Sequence, residues 1–206
     1  MGVGQGGARQ GYHHGDLRRA LLAAAEDELA EKGPEGFTLR GCAKRAGVSH
    51  AAPAHHFGDA AGLLSALAAE GFERFLATTE ARVASAAEDD PKARMVALGL
   101  GYVEFAQANP ALFRLMFSSE RPDFSEQRLQ DIASAAFEQL VSGAAGLAGP
   151  DPLASRNGRR QVAAMWAIVH GLSHLLLSRQ IRFLADQDAA EREADLAAII
   201  SAVDMS

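Results

Sequence analysis

Seven histidines are the side chains of this 206-residue chain best suited to proton, metal or polyanion chemistry near neutral pH, and they fall in three places. His13 and His14 lie near the N-terminus, His50, His55 and His56 follow within a short span, and His170 and His174 stand far down the chain. The last two are four residues apart, a spacing that sets two imidazoles on one helix face and can hold a metal ion. No Glu lies between them, as a zinc-protease helix requires, and no third ligand is evident. No nucleophile, paired acid or phosphate loop accompanies them. Neither catalysis, nor a metal, nor a cofactor is expected. What remains for histidine is recognition.

Charge separates the two ends of the chain. The net charge is −6, yet residues 1–58 carry seven Lys and Arg against six Asp and Glu, and residues 59–206 carry thirteen against twenty. Five of the seven histidines also sit in the first part. That asymmetry points to a polyanion partner for one end only. Hydrophobic residues make up 48% and charged residues 22%, ordinary for a globular protein. The single cysteine, Cys42, excludes an intramolecular disulfide and fits a reducing compartment. It reads as a small buried hydrophobe rather than a redox sensor, because no second Cys is present to resolve it. No apolar run reaches the ~18 residues of a membrane span, and "MGVGQGGARQG" lacks the apolar segment of a secretory signal. A cytoplasmic protein with no membrane partner is expected.

The scaffold that must position these residues reads as helix throughout. No segment alternates with a period of two and β-branched enrichment, so an all-α fold without strands is expected. Residues 1–11 are Gly-rich and read as a mobile arm. Leu17, Leu21, Ala24, Ala25 and Leu29 line one face of a helix from Asp16, as its cap, to about Lys32, where Gly33-Pro34 stops it. Thr38 caps a short helix that Gly47 ends, and Ser49 caps the next. A long helix covers about 59–87. Helices follow in "KARMVALGLGYVEFAQAN", in "PALFRLMF" and over about 124–147. A single helix of roughly 45 Å is expected over about 155–185, and a last one over about 190–203.

Two short helices joined at Gly47 and packed on a preceding helix make a helix-turn-helix. The second, thinned by Ala51, Ala52 and Ala54, suits the ~12 Å wide major groove of DNA. The stretch "TLRGCAKRAGVSHAAPAHHF", followed by "GLLSAL", resembles the TetR family of bacterial transcriptional regulators over residues ~15–75. "GYHHGDLRR", "NPALFRLMF" and "MWAIVHGL" are similar to one subgroup, whose C-terminal domain is marked by a Trp and then His-Gly, here Trp166 and His170-Gly171. The resemblance implies Thr38, Arg40 and Lys44 near phosphates, and Ser49, His50, Ala51, His55 and His56 near bases or backbone. The family usually carries Tyr where this chain has Ala54 and Lys where it has Ala60. Arg9, Tyr12, His13, His14, Arg18, Arg19, Thr38, Arg40, Lys44 and Arg45 are candidates to compensate for those two contacts. The expected division is an arm at 1–11, a DNA-binding domain at 12–58, and a helical ligand-binding and dimerisation domain at 59–206.

Further along, Trp166, His170, His174 and Leu177 share one helix face. They read either as core, with satisfied histidines, or as the wall of a ligand cavity. Tyr102, Phe105, Phe113, Met116, Phe117, Phe137 and Met165 are the other candidate walls. The helix near 162–184 is apolar nearly all round and needs a cover on two sides. Leu196, Ile199, Ile200 and Val203 form a matching stripe, and two such helix pairs would make a four-helix bundle across a two-fold axis, with Gly171 allowing close approach. The expected function is a homodimeric repressor that binds a palindromic double-stranded DNA operator and is released by an unidentified small-molecule effector. The alternative is a small-molecule-binding protein with a weakened DNA head.

Overall fold

A computed structural model describes the backbone of residues 9–202 and the side chains of residues 16–202. Every regular element among the described residues is helical. The head consists of α1 (Arg9–Gly36), α2 (Leu39–Ala46) and α3 (Ala52–Phe57). The connector α4 (Ala60–Ala84) leads into α5 (Pro91–Ala108), α6 (Pro110–Ser118), α7 (Gln127–Ala148) and α8 (Arg156–Leu177), then a short α9 (Arg182–Ala185) and α10 (Ala189–Ser201). A single 3₁₀ turn, Pro152–Ala154, sits before α8.

Local chemistry accounts for most of these boundaries. In α1 the helix is interrupted at Gly33, whose φ of 70° belongs to the left-handed region, and Pro34 opens the turn beyond it. Thr38 Oγ1 accepts from the Gly41 N–H at 3.0 Å and caps α2. Gly47, at φ 67°, closes α2: its own N–H reaches Lys44 O and the Val48 N–H reaches Ala43 O, the paired bonds of a Schellman stop. Asp59, Asp90, Glu126, Ser155 and Asp188 cap α4, α5, α7, α8 and α10 through their side chains.

Five expectations need correction. The helix expected from about residue 124 begins at Gln127, because Glu126 caps it. Asp16 does not cap α1, because the helix already begins at Arg9, within the expected arm; Asp16 instead pairs with Arg19 at 2.8 Å. Ser49 offers α3 only its backbone carbonyl, to the Ala52 N–H, since residues 49–51 form a turn and the helix starts later. The connector helix ends at Ala84, three residues earlier than expected. The expected helix over 155–185 is broken after Leu177: Arg179 takes φ 53°, its N–H bonds Leu176 O, and the Gln180 N–H bonds Leu175 O. That is a second Schellman stop, made by an arginine where the usual signal is glycine, at a strain of about 1–2 kcal/mol.

α4 runs through the molecule and belongs to both ends of it. Its first half sends Leu63, Leu64 and Leu67 into a core with Leu21, Leu29 and Phe37 of the head. Its second half sends Phe72 and Phe75 towards α5 and α6. Across the surface, Arg74 grips Glu26 of α1 with two 2.7 Å bonds; exposed pairs of this kind contribute about 0–1 kcal/mol. α1 and α2 approach so closely that a Cβ on Gly41 would meet the carboxylate of the buried Glu28.

Candidate nucleic-acid interface and ligand cavity

At the head, α2 braces α3 from behind while Pro53 is buried and Ala51, Ala54 and His55 face outward. Ser49 and His50 lie exposed on the turn that leads into α3, and Thr38, Arg40 and Lys44 are exposed along α2. His56 is half-buried, its ring 5.4 Å from that of His55 and 6.3 Å from that of Phe57. The structure therefore brings eight of the expected contact residues to one end of the molecule, on two helices joined by a turn. Arg9, Tyr12, His13 and His14 have side chains outside the described residues.

The compensating bases fare differently. Arg45 donates to Glu28 Oε2 at 2.7 Å and also bonds Glu31, which ties it to α1 rather than leaving it for phosphate. Arg18 lies over the Phe57 ring at 5.1 Å and staples α1 to the end of α3. Arg19 is paired with Asp16. Arg40 and Lys44 are left as exposed bases that form no ion pair among the described residues. Cys42 is fully buried, with its thiol donating to Leu21 O at 3.3 Å. Burial, and then the charge of Glu28, push that thiol up to about 11, which removes the thiolate that oxidant sensing needs.

In the body, α4, α5, α6, α7, α8 and α10 enclose a cavity of about 280 Å³. Tyr102, Met116, Phe117, Phe137, Met165 and Trp166, all anticipated, line it. Phe105 and Phe113 do not: both are fully buried behind the wall, Phe105 packed edge-on against Phe75 and Phe113 against Tyr102 and Phe117. Phe72, Phe75, Phe124 and Gln139 are lining residues that the sequence did not single out. The two from α4 fit a plain core stripe equally well, and Phe124 lies in an irregular segment where periodicity carries no signal. Phe137 and Trp166 are 41% and 40% exposed with ring centroids 6.2 Å apart, so the cavity reaches solvent between α7 and α8.

His170 and His174 stand beside the cavity rather than on its surface. Tyr102 Oη lies 2.8 Å from His170 Nδ1, within hydrogen-bond distance. Burial, and then the neighbouring His174, hold His170 below the usual imidazole range, and burial raises the phenol. Their rings pack on Phe113 at 5.5 and 5.2 Å. Among the described residues no group of three His, Cys, Asp or Glu could hold a metal ion.

The expected dimer stripe divides. Leu196 and Ile200 are buried inside the protomer, where Ile200 lines the cavity and packs over Gly99, so neither is available to a partner. Ile199 is 37% exposed, and Val203 lies outside the described residues. A Cβ on Gly171 would meet nothing within 4 Å. On the same side of α8, Ala163 and Ala167 are exposed, as is Leu175. Phe183 of α9 is 74% exposed.

Comparison with known proteins matches both ends. A family described as bacterial regulatory proteins, tetR family, matches residues 21–67. One described as tetracyclin repressor-like, C-terminal domain, matches residues 95–197, half of the chain. The HTH-type transcriptional regulator BetI of Burkholderia ambifaria is 32% identical over 122 residues, 57% of this chain and 62% of that protein. Its namesake from Stenotrophomonas maltophilia is 30% identical over 125 residues, 61% and 63% respectively. The similarity thus spans less than two thirds of these relatives' length. Among solved structures, a protein of unknown function from Rhodococcus sp. RHA1 shares 33% identity and a TM-score of 0.74, covering 94% of this chain and 97% of that one. The TetR family transcriptional regulator PfmR of Thermus thermophilus shares the fold, at 17% identity and a TM-score of 0.63, covering 89% and 98%.

Proposed function

The chain belongs to the TetR family of bacterial regulatory proteins, and from that premise we propose that it is a homodimeric, cytoplasmic transcriptional repressor released from a near-palindromic DNA operator by a small molecule. The observation that carries the reading is α4. One continuous helix supplies Leu63, Leu64 and Leu67 to the head and Phe72 and Phe75 to the cavity wall. A molecule that fits the cavity in only one of two positions of α4 shifts the spacing of two reading heads, and a molecule with equal affinity for both positions shifts nothing. Trp166 and His170-Gly171 support the finer assignment to the subgroup with that C-terminal signature. Leu175, Phe183 and Ile199, exposed on α8, α9 and α10, support pairing of two copies there.

Ala54 is exposed on α3 and Ala60 opens α4. Two alanines there favour a second reading, a ligand-binding protein whose head grips DNA weakly. A gel shift on the DNA upstream of the chain's own gene, run over a salt series, separates the two. A repressor gives a discrete complex at physiological salt whose affinity falls steeply with added salt. Absence of any complex even at low salt overturns the repressor reading.

A further inference from the structure

The cavity also specifies a kind of occupant. Its wall is made of aromatic and aliphatic side chains, and none of the side chains lining it carries a charge. A charged group taken into such a site loses its hydration and finds no ion to pair with. Phe75 meets Tyr102 and Phe105 edge-on, at interplanar angles of 84° and 87°, and Phe72 meets Phe117 at 74°, so these rings are held in the wall by one another.

The polar groups on the wall are few, and most are already engaged. The Tyr102 hydroxyl is bonded to His170 Nδ1 at 2.8 Å, and Trp166 stands at the opening beside Phe137. That leaves Gln139. Its carboxamide meets the hydroxyl of the fully buried Thr79 at 2.7 Å, and that hydroxyl's one proton also has the carbonyls of Phe75 and Leu76 at 2.9 Å, so one end of the carboxamide is engaged and the other remains for an occupant. At about 280 Å³ the cavity lies at the lower edge of the ~300–1,000 Å³ typical of ligand pockets. The Phe137–Trp166 pair at its opening suits a planar ring system.

We infer that the cavity takes a neutral, ring-bearing, largely apolar molecule with one hydrogen-bonding group directed at Gln139, and discriminates against the same molecule bearing a charge. This rests on the cavity being the effector site of the repressor proposed above, but the binding itself requires no DNA.

The test uses the full chain, with N-phenyl-1-naphthylamine as a neutral fluorescent reporter and an isosteric series as competitors. 2-Acetonaphthone should displace the reporter. 2-Naphthoate, which replaces a methyl group by a charged oxygen, should do so at least tenfold less well, as should (2-naphthyl)trimethylammonium. 2-Ethylnaphthalene, which lacks the oxygen, should be about three- to tenfold weaker than the better of the ketone and 1-(2-naphthyl)ethanol, which can also donate, the worth of one neutral hydrogen bond. In Gln139→Leu that gap should close while the reporter still binds. Ala133→Phe should fill the cavity and abolish reporter binding, and Ala136→Leu serves if circular dichroism shows the first variant unfolded. Naphthoate or the ammonium compound competing as well as the ketone overturns the inference, as does reporter binding that survives both filling variants. Loss of the gap over 2-ethylnaphthalene only in Gln139→Leu supports it; a gap unchanged by that substitution overturns the role of Gln139. A gel shift run in parallel keeps the two readings apart: selective ketone binding with no DNA complex removes the repressor and leaves the cavity's selectivity standing.

Discussion

His170 is a residue whose protonation the fold opposes. Packed against Phe113, Phe117 and Trp166, bonded to Tyr102 and facing His174, it is held below its ordinary range first by burial and then by that second imidazole. The unfolded chain offers an imidazole that titrates near ~6.5. As pH falls through that value the unfolded state takes up a proton that the folded state refuses, so stability drops on acidification. Urea unfolding at pH 7.5 and at pH 5.5 should show this loss, and His170→Gln should lessen it. An unchanged pH profile in the variant would remove His170 as the cause. A second residue-scale expectation concerns the head. Ala54→Tyr and Ala60→Lys should each tighten DNA binding without changing sequence preference, because a phosphate contact carries no base information. The lysine should also steepen the slope of log affinity against log salt by about 0.9. Unchanged affinity across the salt series would show that these positions do not face the DNA backbone.

Between cavity and head the connection is an element rather than a residue. The segment after α6 holds Phe124 on the cavity wall, the Asp123 N–H bonds Ser65 Oγ of α4 at 2.8 Å, and Arg121 donates to the carbonyls of Pro34 and Glu35 beyond the Gly33 break in α1. In the proposed mechanism a ligand pressing on Phe124 would act on the head by a second route besides α4. In Arg121→Ala, reporter binding to the cavity should be unchanged, while the effector-induced drop in DNA affinity should shrink several-fold. The loss of a hydrogen bond made by a charged donor, about 1.5–3 kcal/mol at most, sets the scale. Equal effector response in variant and wild type, measured as the ratio of DNA affinities with and without effector, would show α4 acting alone.

For the molecule as a whole, the proposed repressor needs two copies to pair, so that two heads make one operator-binding unit. Ile199→Glu combined with Phe183→Glu places charges on side chains that are already exposed, so the protomer should keep its fold and its melting temperature. Light scattering should report a monomer, and operator affinity should fall by orders of magnitude because one half-site is held alone. A variant that remains dimeric would place the interface away from α9 and α10.

Much of this was legible in the residue order, because it depends on local chemistry. Thr38 and Gly47 bound α2 through hydrogen bonds to neighbours a few residues away, and the head's small and basic residues mark out its surface by type alone. The all-helical class follows from apolar spacing in the same way. Three matters waited for the tertiary structure. An apolar stripe does not say what covers it: Leu196 and Ile200 turned out to face their own protomer, while Ile199 between them faces out. An aromatic at helical spacing can be wall or core, and only the packing of α4 against α5 and α6 set Phe75 on the cavity and Phe105 behind it. The stop at Arg179 carries no glycine to announce it. Each of these depends on partners distant in sequence, and a pattern within one helix contains its own periodicity but not the identity of what it meets.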